Sequence, residues 1–138
     1  MYSKKIMIVS IITIISALFG ILNMLLLKEI QRLSILDSPY ILFLLSGIIA
    51  GIYMILKEKT GFLLGMLYYA LQIIIFCTKD LCFNFSSGIV FTIGFGNTHM
   101  DNSLFSLFQI NIFALIMFFV VLFLFFDVKP KTNFFHKE

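Results

Sequence analysis

Four long apolar runs, separated by short polar breaks, dominate this chain. They cover residues 6–27, 40–56, 62–77 and 104–126, which is 22, 17, 16 and 23 positions without a charge. A helix needs about 20 predominantly apolar residues to cross the hydrocarbon of a bilayer, with a working range of about 17–25. The first and last runs meet that length. The middle two fit by borrowing flanking residues or by thinning the bilayer locally. Backbone groups in hydrocarbon have no water to bond, so all four runs are predicted as helices.

The breaks carry stop and start signals. Lys28, Glu29 and Arg32 close the first run. Asp37-Ser38-Pro39 is a cap followed by proline at the first helical position. Lys57-Glu58-Lys59-Thr60-Gly61 reads as a tight polar hairpin between the second and third runs. Lys4 and Lys5 ahead of an apolar run resemble the start of a signal peptide. The run continues through Leu25, Leu26 and Leu27 without a small-residue cleavage site, so a retained span is predicted.

Residues 79–103 form the largest segment outside the runs. Its centre alternates: Ile89, Phe91, Ile93 and Phe95 point one way, and Val90, Thr92 and Gly94 the other. Ser86-Ser87-Gly88 and Gly96-Asn97 are turn chemistry on either side. A short strand is expected here, paired with residues 82–85 as a hairpin, with Asn102 or Ser103 capping the fourth helix.

Composition strengthens the lipid reading. Of 138 residues, 61% are apolar and 12% charged, against roughly 25% charged in an ordinary soluble domain. A soluble core of this size cannot hide that much apolar surface. A soluble enzyme, a secreted disulfide scaffold and a disordered tail are thereby excluded. The net charge of +3 is too small for a nucleic-acid footprint. Placement matters more than the sum. With the N-terminus in the cytoplasm, Lys4, Lys5, Lys57, Lys59, Lys129, Lys131 and Lys137 all lie inside, while Lys28, Arg32 and Lys79 fall outside. The positive-inside rule prefers that arrangement, and four spans return the C-terminal tail, 127–138, to the cytoplasm.

Candidate chemistry is sparse. No Asp, Glu, Lys, Arg or His lies within a run, which argues against a proton relay. His99 and Asp101 are too few for a metal site, and no cofactor motif is present. Cys77 and Cys82 do not form a Cys-x-x-Cys pair; they are a candidate disulfide that requires the chain to bend between them. The informative residues are small or uncharged. Ser10, Thr13, Ser16, Gly20 and Asn23 lie along one face of the first run, and Gly61, Gly65, Tyr68 and Gln72 along one face of the third. Gly47 and Gly51 make a small-xxx-small step in the second, a spacing that lets helices approach closely in lipid. Asn23, Gln72 and Asn111 are expected to bond between helices, because an unpaired amide in hydrocarbon is costly.

These features predict an all-α integral membrane protein of the plasma (inner) membrane. It is a four-helix bundle with both termini cytoplasmic and a short extracytoplasmic β-hairpin-like loop between the third and fourth helices. The expected function is non-catalytic: a subunit or scaffold in a membrane complex, in contact with lipid and with itself or another membrane protein. The alternative is a homo-oligomeric channel or pore-forming effector lined by Ser10, Thr13, Ser16 and Asn23.

Overall fold

The computed structural model describes residues 2–27, 38–77, 82–85, 89–96 and 107–128. The interfacial stretch 28–37, the turn around His99 and Asp101, the caps expected at Asn102 or Ser103, and the tail beyond Val128 lie outside the described residues. Within them the chain is mostly helical, with a small sheet. Helices α1 (Tyr2–Leu27), α2 (Ser38–Ile55) and α3 (Lys59–Ile73) lead into strands β1 (Ile74–Cys77), β2 (Cys82–Phe83), β3 (Thr92–Gly96) and β4 (Leu107–Asn111), and helix α4 (Ile112–Asp127) follows.

The helices pack in chain order, α1 on α2, α2 on α3 and α3 on α4, while α1 and α4 touch only slightly. The α2–α3 turn is closed by backbone bonds from Lys57 N–H to Met54 O at 2.9 Å and from Glu58 N–H to Tyr53 O at 3.0 Å. This is the Schellman pattern of a helix C-terminus, with its left-handed position filled by Lys57 at φ 60°. Close approach of the two helices depends on Gly61. A Cβ there would lie 2.5 Å from Met54 N and 2.6 Å from the Tyr53 carbonyl carbon. Lys59 Nζ sits 5.7 Å over the Phe125 ring of α4, which brings the polar hairpin to the carboxyl end of α4.

The third and fourth apolar runs are not continuous helices. The helix expected over 62–77 ends at Ile73, and that expected over 104–126 begins only at Ile112. Residues 74–77 and 107–111 are strands, and each continues a helix without a break. The sheet order is β2-β1-β4-β3, antiparallel throughout. The strand predicted from the alternation at 89–95 is present as β3. Its partner is β4, with Ile93 opposite Ile110 and Gly94 opposite Gln109; β2 pairs instead with β1.

The local reason is legible in the side chains. Ile74-Ile75-Phe76 is β-branched and aromatic, the composition that suits a pleated surface. Phe108-Gln109-Ile110-Asn111 alternates apolar and polar with period two. One face of the sheet carries Ile74, Ile93 and Ile110 in a cross-strand row, all exposed, while Ile75 on the other face is 3% exposed.

Among the described residues one helix, over Lys4–Leu26, is long and apolar enough to cross a membrane. The same test is met by a signal sequence near an N-terminus. Two further apolar helices, Pro39–Ile55 and Ile112–Asp127, are shorter. Four helices are present among the described residues, as expected, one of them long and apolar enough to span a membrane, while the third and fourth runs are each divided between a helix and a strand.

Candidate functional site

The bundle buries several polar side chains within its apolar core while leaving many large apolar ones on its surface. Ser10, Thr13, Ser16, Gln72 and Asn111 are all at 0–1% exposure, whereas Leu26, Leu42, Leu67, Phe123 and Phe126 stand 58–76% exposed. The polar stripe of α1 therefore faces inward. Ser10 Oγ donates to the Ile6 carbonyl at 2.7 Å and Thr13 Oγ1 to the Val9 carbonyl at 2.9 Å. Both bonds satisfy hydroxyls within their own helix. Thr13 Oγ1 also lies 2.9 Å from the Tyr69 hydroxyl of α3, a hydrogen bond across the bundle.

Gly20 is buried and Asn23 is exposed, so the face breaks up toward the end of α1. Gly47 lies under the Tyr68 ring, where a Cβ would approach to 2.6 Å, and Gly51 lies under Ile14. Gly61 and Gly65 are buried at the α2–α3 contact. The small-residue steps thus serve helix contacts within this chain.

The amides of Gln72 and Asn111 are both buried. Gln72 Nε2 reaches the Tyr68 carbonyl of its own helix at 3.4 Å. Asn111 is not inside a helix; it is the N-cap of α4. Its Oδ1 accepts from Ala114 N–H at 3.3 Å and from Phe91 N–H at 3.4 Å, tying α4 to the segment that leads into β3. Both bonds are donated by backbone, so they fix which end of the amide is oxygen. Nδ2 is buried and has no hydrogen-bond partner among the described residues.

Sequence reasoning missed two features. Tyr69, fully buried, is the interhelical partner of Thr13; its position seven residues after Phe62 on the buried side of α3 was the available signal. The second is a string of rings joining bundle to sheet. Phe113 meets Tyr69 at 6.5 Å between centroids, Tyr69 meets Tyr68 at 5.2 Å, and Tyr68 meets Phe43 at 4.9 Å. Phe43 meets Phe85 at 5.2 Å, Phe85 meets Phe83 at 5.0 Å, and Phe83 meets Phe76 at 6.0 Å. All fall within or close to the 4.5–7 Å range of favourable aromatic pairs. The return segment after β2 is pinned to α2 in this way.

Cys77 and Cys82 are backbone partners across β1 and β2. The bend that a disulfide requires is therefore made: directly opposed antiparallel residues have Cα atoms about 4.5–5.5 Å apart, inside the range a disulfide bridges. No group of three or more His, Cys, Asp or Glu that could hold a metal ion is found among the described residues.

A groove of about 640 Å³ lies at the seam between α1 and α4. Ile8 and Val9 form one wall and Phe123 and Leu124 the other, with Lys5 and Asp127 at its polar rim. No protein-family model, curated protein or solved structure matches the chain.

Proposed function

We propose that this chain is a multi-pass membrane protein with both termini cytoplasmic, acting without catalysis as a subunit or scaffold of a membrane complex. The observation that carries the reading is the extent of apolar surface: Ile, Leu and Phe side chains cover the helices on the outside, while Ser10, Thr13, Ser16, Gln72 and Asn111 are withdrawn among the apolar side chains of the core. In water that exposed surface would be a severe aggregation liability; in lipid it is the ground state.

The short helices fit this reading once their strands are counted. At 1.5 Å per residue, the 15 residues of α3 and 16 of α4 rise about 22 and 24 Å, less than the ~30 Å hydrocarbon thickness. Strands β1 and β4 continue them by about 13 and 17 Å at 3.3 Å per residue. Irregular backbone and open sheet edges are excluded from lipid. The two strands that continue the helices are the two central ones: β4 is paired along both edges, and β1 along its whole β4 edge and, at Phe76 and Cys77, with β2. The exposed row Ile74, Ile110 and Ile93 extends the apolar belt of the helices outward.

The ends of the bundle support the orientation. Lys59 sits beside Phe125 of α4, and Lys5 shares a groove with Asp127, so one end gathers the basic residues and the other carries the sheet. Burial of Ser10, Thr13 and Ser16 against the chain's own interior leaves those side chains no surface for a water path, which favours packing over the pore reading. Among the described residues the outer edge of β3 pairs with no strand, which makes it a candidate edge for an added strand.

Alkaline carbonate washing of membranes that contain the full chain tests the spans. The chain is expected in the pellet, with a cysteine probe at Lys57→Cys labelled only from the cytoplasmic side. Release into the supernatant would sink the membrane reading. Labelling from the outside alone would invert the orientation.

A further inference from the structure

We propose that the groove between α1 and α4 is a binding site for a zwitterionic glycerophospholipid with a primary ammonium headgroup, drawn from the cytoplasmic leaflet. This rests on the membrane reading above.

The site exists because the bundle does not close. Each helix packs along its chain neighbours, yet α1 and α4 barely meet, and about 640 Å³ is left between them. That volume falls within the range of ordinary ligand sites. Ile8, Val9, Phe123 and Leu124 make its walls apolar, matching an acyl chain.

The rim selects the headgroup. Lys5 stands on one wall and Asp127 on the other, both exposed, and no ion pair joins them among the described residues. The helix ends have the same polarity as the side chains. Lys5 lies in the amino-terminal part of α1, where the dipole is positive, and Asp127 ends α4, where it is negative. A bound phosphate is therefore favoured beside Lys5 and a cation beside Asp127. One molecule that carries an anion and a cation a few ångströms apart above apolar chains satisfies both walls. A primary ammonium donates hydrogen bonds to the carboxylate, which a quaternary ammonium cannot do. An anionic lipid without a cation meets Asp127 unfavourably.

The test uses the full chain reconstituted in vesicles of equal parts phosphatidylethanolamine, phosphatidylcholine and phosphatidylglycerol. The protein is then extracted in mild detergent, and the retained lipid is measured by mass. Retained phosphatidylethanolamine is expected to exceed each of the others by about threefold to fivefold, the range of one exposed charge interaction. Asp127→Lys should transfer the preference to phosphatidylglycerol, and Ile8→Trp, which narrows the groove at an exposed position, should lower all retained lipid. Retention that mirrors the vesicle composition would overturn the proposal, as would a preference unchanged by Asp127→Lys. A lipid-free particle with the mass of two copies would assign the groove to a second chain and overturn it equally. Carbonate washing of the same vesicles separates the two readings: a pelleted chain without lipid preference loses only the groove, whereas a released chain loses the spans.

Discussion

The bundle and the sheet solve the same problem with different backbones. In the bundle each helix satisfies its own N–H and C=O groups, so the side chains are left to decide contacts. The result is an apolar core that also holds Ser10, Thr13, Ser16 and Tyr69, within an apolar exterior. In the sheet the backbone is satisfied only between strands, and register decides everything. A slip of one residue would exchange the exposed row of Ile74, Ile110 and Ile93 for Ile75, Gln109 and Gly94. Tolerance to substitution should therefore differ. The bundle should yield where helices touch most closely, and the sheet where the chain passes from strand to helix.

The largest effect is expected at the glycines, one in each region. Gly61→Val drives its side chain into the backbone of Tyr53 and Met54. Overpacking typically costs about 1–3 kcal/mol and more where backbone must move, so loss of the folded bundle is expected. Gly94→Val meets the Phe108 carbonyl oxygen and Gln109 Cα instead, and should detach β3 while leaving the helices packed. Circular dichroism and proteolysis in detergent distinguish the two. Helicity lost equally in both variants would mean that sheet and bundle fold as one inseparable unit.

The next effect concerns the sheet alone. With Cys77 opposite Cys82, the proposed topology, which puts the sheet in an oxidising compartment, predicts a disulfide. Its short loop gives about 2 kcal/mol by the chain-entropy relation. The intact chain should weigh two hydrogens less than the reduced form and resist alkylation until a reductant is added. Immediate alkylation of both thiols in freshly isolated membranes would refute it.

What the sequence revealed divides along the same boundary. Run length located α1 and α2, the polar break Lys57–Gly61 located the α2–α3 turn, and the alternation at 89–95 located β3. The same run length concealed β1 and β4. An uninterrupted apolar stretch is consistent with either a buried helix or a strand, and lipid favours whichever backbone has partners nearby. Phe108-Gln109-Ile110-Asn111 carried the strand signal within the run. Asn111 was singled out for the right reason, an amide needing partners, but was assigned to a helix interior when it begins one. The Thr13–Tyr69 bond was half visible. Thr13 stood on the polar stripe, but nothing local indicated which ring 56 positions away would meet it.

Asn111 sharpens the comparison because it belongs to both regions. Asn111→Leu removes the α4 cap and strands Phe91 N–H. Loss of an N-cap costs about 1 kcal/mol, and the part-buried Phe91 N–H loses its partner as well. Asn111→Ser keeps a short capping oxygen and deletes the partnerless Nδ2, so it should cost less than the leucine variant. Equal losses in unfolding titrations with a denaturing detergent would show that the Oδ1 bonds to Ala114 and Phe91 contribute little.

The smallest effect tests whether the hydroxyls within the core hold the bundle together or are merely tolerated there. Thr13→Val preserves shape and removes one hydroxyl; Tyr69→Phe removes the other. Interhelical hydrogen bonds in membranes average about 0.6 kcal/mol in double-mutant cycles, because an unfolded chain in lipid also finds partners. Thr13 illustrates that limit, since its hydroxyl retains the Val9 carbonyl at 2.9 Å whether or not Tyr69 is present. For Tyr69, fully buried, Thr13 is the hydroxyl's partner among the described residues, so Tyr69 should lose more from Thr13→Val than Thr13 loses from Tyr69→Phe. The single variants are therefore expected to be unequal, with Thr13→Val the more damaging, and the double variant close to Tyr69→Phe alone. A coupling near zero would mean that α1 and α3 are held by the shape of the contact, and that the hydroxyls only avoid the penalty of being unpaired.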